Sequence, residues 1–159
     1  MCNKGIGDVT LASLEILQPD DGDGYLVVAR DLLQGVKALS TCESIPPRAC
    51  ALIAAHTLEC VLKAYLWHKE KIRELKDAKH NILVLWNLAY GEKTLGISET
   101  PPDWVRILSE GHGPNFYFRY QEGPSRIIAH GGQTPALVPM AAELSGLLKQ
   151  VELEVKAAE

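Results

Sequence analysis

Residues 49–67 constrain this chain more than any other stretch. Every residue there is apolar or small except His56, Thr57, Glu59 and Lys63. The segment is long enough to cross a bilayer. Glu59 and Lys63 exclude that reading, because each would cost roughly 2.5–3.5 kcal/mol near the membrane centre. Nothing else in the chain resembles a second span. What remains is a helix apolar around most of its circumference, the pattern of the central helix of a bundle. Pro46 and Pro47 suit first helical positions and Ser44 suits an N-cap, so the helix is expected to run to about residue 72. Glu59 and Lys63 are four apart, acid before base, and can pair on one face. His56 lies one turn earlier on nearly that face. The polar stripe on so apolar a helix needs a reason.

At 159 residues, 47% hydrophobic and 23% charged, the chain reads as one globular domain with a sizeable core. A net charge of -4 excludes a general nucleic-acid coat, which needs Lys and Arg to displace counterions, and leaves room only for a local basic site. Cys2, Cys42, Cys50 and Cys60 form no CxxC pair, and two of them fall in the apolar helix, where cysteine behaves as a small hydrophobe. Neither a zinc site nor a disulfide framework is expected, and no cofactor. The first residues have no apolar signal core behind them, so a reducing cytoplasm is the expected location.

Residues 1–24 read as a lead-in segment, in which residues 9–17 form a short helix or an extended arm; residues 25–159 read as the domain. The run Asp20, Asp21, Gly22, Asp23, Gly24 lacks the alternating oxygen ligands and distal Glu of a calcium loop, and is expected to be a turn capping the next helix. In residues 25–41, Leu26, Ala29, Leu33 and Val36 make a helical stripe, with Arg30, Asp31, Gln34 and Lys37 outward. Residues 73–79 extend the central helix or form a solvated link. Ile82, Leu85, Trp86 and Ala89 share a helical face that Gly91 stops, although a buried strand competes for this run. Residues 104–110 predict a short helix with Trp104, Ile107 and Leu108 inward. The glycine-rich run Gly111, His112, Gly113, Pro114 and Asn115 ends that helix, and an extended or two-stranded excursion follows to residue 132. From about Thr134 the apolar residues Leu137, Met140, Leu144, Leu147, Leu148, Val151 and Val155 recur at threes and fours to the end. The expected architecture is all-α, an antiparallel bundle of four to five helices with an irregular insertion before the last.

Three constellations could carry chemistry. In the first, His56, Glu59 and Lys63 make a polar seam whose plain reading is an ion pair and a satisfied histidine. A di-iron bundle would need Glu-x-x-His on two helices, and here a single His-x-x-Glu runs in the opposite order. The second is Lys79, His80 and Asn81, a histidine at a helix start with Asn able to cap. The third lies in the insertion: Arg119 and Tyr120 among Phe116, Tyr117 and Phe118, then Arg126 and His130. An arginine that clamps a phosphate beside a proton-moving histidine suits RNA cleavage, and aromatics can stack on bases. Those aromatics can equally be core, with the arginines solvated.

Taken in order, residues 54–66 with Glu59, Lys63 and Ala64, then Lys79, His80, Asn81 and Ile82, then Phe118, Arg119 and Tyr120, resemble the HEPN domain superfamily. The resemblance spans roughly residues 25–155 and rests on about twenty positions. It implies a helical bundle, commonly a homodimer. Many relatives are RNA-cleaving toxins with an Arg-x4–6-His motif at the dimer interface. Others are non-catalytic, pair with a minimal nucleotidyltransferase, or bind nucleotides or RNA. Arg126 and His130 have three intervening residues, outside that motif. Two readings follow. One is a non-catalytic homodimeric domain binding a nucleotide, an RNA or a partner protein, with Glu59, Lys63, His80, Arg119 and Tyr120 at the ligand. The other is a metal-independent, toxin-like ribonuclease using Arg126 and His130. A purely scaffolding bundle is the third possibility. No membrane role is expected.

Overall fold

The structure is a computed structural model, and it describes residues 10, 11, 14, 15, 21–42, 47–113, 118 and 137–158. Among them it is all-α apart from one small pairing of extended chain. The helices are α1 (Gly22–Ser40), α2 (Pro47–His68), α3 (Ile72–Ala78), α4 (Ile82–Gly91), α5 (Asp103–His112) and α6 (Leu137–Ala158). Two-residue strands β1 (Thr10–Leu11) and β2 (Leu14–Glu15) pair antiparallel, Thr10 opposite Glu15. The extended alternative for the lead-in therefore describes these four residues.

α2 is the axle, packing against all five other helices. Arg48–His68 has the length and hydropathy of a membrane span, but 78% of its apolar window is buried inside this protein. Its faces are taken by Leu26, Ala29, Leu33 and Val36 of α1, by Ile82, Leu85, Trp86 and Ala89 of α4, and by Met140, Leu144, Leu148 and Val151 of α6, all in one buried cluster. Among residues whose burial is described, the stripes expected for α1, α4 and α6 (from Met140 on) are the buried ones, because period-3.6 patterning selects a single face when only that face is covered.

Local chemistry explains the ends. Asp21 caps α1, its Oδ1 accepting from the Gly24 N–H at 2.7 Å. Asn81 caps α4, accepting from the Val84 N–H at 3.2 Å. The central helix stops at His68 rather than near residue 72. There the Lys71 N–H reaches back to the Leu66 carbonyl and the Glu70 N–H to that of Trp67, both at 2.9 Å, with Glu70 at φ 60°. That pattern is a Schellman motif with glutamate in the left-handed seat glycine usually takes. No Gly or Pro marks it in the sequence, so residues 72–78 become a separate helix and the count rises to six among the described residues. Around α5 the inward face is Trp104, Val105, Leu108 and His112, and Ile107 is 39% exposed. The expectation for Ile107 fails because the buried stripe is centred one residue further round, on Val105 and Leu108.

Candidate functional site

Glu59 is the centre of the site. It stands on the face of α2 that meets the start of α4 and the end of α5, and it is 2% exposed. An isolated carboxylate so buried would be very costly, but this one is surrounded by donors. Lys63, one turn on, donates from Nζ to Oε1 at 2.6 Å. His80, just before α4, places Nδ1 3.0 Å from Oε1 and 3.2 Å from Oε2. His112, the last residue of α5, places Nε2 2.6 Å from Oε2. An ionised carboxylate can only accept, so each of these ring nitrogens carries the proton it donates. The Lys63 ammonium also lies 5.7 Å from the ring centroid of Tyr25 on α1.

The backbone holds the two histidines in place. The first-turn N–H groups of a helix lack intrahelical partners. In α4 the Val84 N–H is taken by Asn81, and the Leu83 N–H by the Ser109 hydroxyl of α5 at 3.3 Å. The Ser109 bond fastens the α4 start, and His80 with it, to the last turn of α5, where His112 sits. That turn is closed from outside by Phe118, whose N–H bonds the Gly111 carbonyl at 3.1 Å. A Cβ at position 111 would stand 2.1 Å from the Phe118 ring, so the close approach requires glycine.

Burial pushes the Glu59 carboxyl up. The hydrogen bond from His112, the bond and charge of Lys63 and the charge of His80 outweigh it and hold the group at about 2. Glu59 is thus an anion throughout the physiological range, with both oxygens engaged. It orients its neighbours and is not available as a proton acceptor. Cys60 beside it is the opposite case: burial, reinforced by the Glu59 charge, pushes its thiol up to about 12, which removes it as a nucleophile.

Of the residues singled out from sequence, Glu59, Lys63 and His80 come together. Arg119, Tyr120, Arg126 and His130 lie outside the described residues. Phe118 is buried, as the core reading of the aromatics requires. His56 joins the site with its ring centroid 6.1 Å from that of His112; the His80 and His112 centroids are 6.2 Å apart. His112 is the residue the sequence reading passed over, as part of a glycine-rich stop. Its signal was there, since it follows Trp104 and Leu108 at successive intervals of four and so falls on the inward face of α5. Its partner Glu59 is 53 residues away, which no local pattern reports. One donor atom each from His56, Glu59 and His112 lie within 4.8 Å of one another.

The fold and site thus define an all-α bundle with a buried carboxylate ringed by lysine and histidine. No protein-family model, curated protein or solved structure matches the chain.

Proposed function

We propose that this chain is a non-catalytic, HEPN-like binding domain that acts as a homodimer and takes a nucleotide or RNA. The observation that carries the reading is the state of Glu59. Its oxygens are filled by Lys63, His80 and His112, so the buried polar seam is occupied with positioning and leaves no free carboxylate for general-base work. Its outward member is His80, whose side chain is 51% exposed and can meet an anionic ligand. Arg119 and Tyr120 supply further ligand contacts in this proposal. A nucleotidyltransferase-type protein is the kind of partner that the resemblance suggests.

The test has two arms. The protein is incubated with a mixed RNA pool in EDTA, and binding of labelled RNA and of labelled ATP is followed by fluorescence anisotropy. Saturable binding without cleavage, weakened at least fivefold in His80→Ala, is the expected result. Cleavage that disappears in His130→Ala would establish the toxin-like ribonuclease in its place. Neither binding nor cleavage at tens of micromolar protein would leave only a scaffold. Light scattering over the same range should give the mass of two chains, and a monomer mass refutes the dimer.

A further inference from the structure

We propose that His56, Glu59 and His112 form a binding site for a divalent transition-metal cation of the zinc class. The inference stands apart from the binding role above and rests on the donor set alone. Two imidazoles and one carboxylate each bring a donor atom into a region 4.8 Å across. Nitrogen-rich sets of this kind select Zn²⁺, Co²⁺ or Fe²⁺, whereas Mg²⁺ and Ca²⁺ want oxygen alone. His56 and Glu59 are three apart on α2, so the helix presets two ligands on one face, and α5 delivers the third.

Two features point to a cation at this place. His112 is fully buried, and its Nδ1 has no hydrogen-bond partner among the described residues. Binding through Nε2 would move the proton now shared with Glu59 onto Nδ1, whose lone pair is open to take it, at the cost of a buried N–H without an acceptor among the described residues. Glu59 is also divided in its duties: Lys63 holds Oε1, while Oε2 faces His112. An ion on Oε2 would leave Lys63 and His80 on the other oxygen, the outer contacts that orient a ligating carboxylate. Metal–ligand distances of about 2.0–2.2 Å put donors about 3–3.6 Å apart, so the widest pair closes by roughly 1 Å.

Lys63 gives the proposal its sharpest consequence. Its ammonium keeps Glu59 paired when no ion is bound, and it repels an ion when one arrives. Removing that charge must therefore tighten metal binding, the reverse of what loss of a structural residue does.

The full chain is stripped with EDTA, dialysed, and titrated with ZnCl₂ by calorimetry and with CoCl₂ by visible absorption. One Zn²⁺ per chain is expected, with d–d bands for Co²⁺ at the same stoichiometry. His112→Gln and His56→Gln should each weaken zinc at least tenfold, and Lys63→Met should tighten it about tenfold through the lost repulsion. Unchanged affinity in both histidine variants, or weaker binding in Lys63→Met, overturns the site. Should the histidine variants not fold, X-ray absorption of the zinc-loaded wild-type protein decides: two imidazoles on the ion support the proposal, and fewer overturn it.

Discussion

Replacing Glu59 by Gln keeps the side chain's shape and removes its charge, and the structure fixes what that should cost. In the folded protein the carboxyl is held at about 2, against an ordinary value of 4.5. A group depressed on folding contributes stability that is complete above its unfolded value and is lost as pH falls toward its folded one. For a shift of this size the contribution is about 3 kcal/mol at pH 7 and roughly half of that at pH 3. Glu59→Gln also leaves Lys63, only 12% exposed in its side chain, without its counter-charge. One-sided loss of a buried ion pair costs about 3–5 kcal/mol, so the two routes to the magnitude agree. Urea unfolding of both proteins at pH 7 and pH 3 tests this. The variant should be less stable by about 3 kcal/mol at pH 7, and the gap should narrow by about half at pH 3. The other carboxylates titrate in both proteins and cancel in the difference. A pH-independent gap, or one under about 1 kcal/mol at pH 7, would refute the account of Glu59 as an anion held by its neighbours.

Two further outcomes test the packing around the site. Alkylation of the native protein by iodoacetamide, read by peptide mass mapping, should modify exposed Cys42 and spare Cys60, whose thiol is buried and held near 12; equal labelling of the two would contradict the burial. Gly111→Ala should destabilise by about 1–3 kcal/mol through overpacking against Phe118. Adding Phe118→Leu should recover part of that loss, and a wild-type melt for Gly111→Ala alone would show that the ring does not lie on the glycine.

The bundle was legible in the sequence wherever one helical face had to carry all the burial. Leu26, Ala29, Leu33 and Val36 announce α1, and Met140, Leu144, Leu148 and Val151 announce α6. Asp21 and Asn81 announce helix starts because their short side chains can bond the N–H three residues on. The break after His68 was not legible. It depends on a glutamate accepting φ 60°, which costs little enough that tertiary packing decides it. Half of the site could be read as well, because Glu59 and Lys63 are joined by helical spacing alone. The other half belongs to tertiary structure. His80 and His112 reach the same carboxylate from 21 and 53 residues away, and only docking of α4 on α5 brings them there.

The burial of α2 on nearly every side has a consequence for how the helix knows its own orientation. Apolar side chains all round fill a bundle almost equally well at several settings about the axis, so hydrophobicity alone indexes such a helix poorly. Turning α2 by one residue, about 100°, would carry Glu59 away from His80 and His112 into hydrocarbon. The carboxylate therefore acts as a key on a shaft: one angular setting satisfies it, and the alternatives leave a charge stranded.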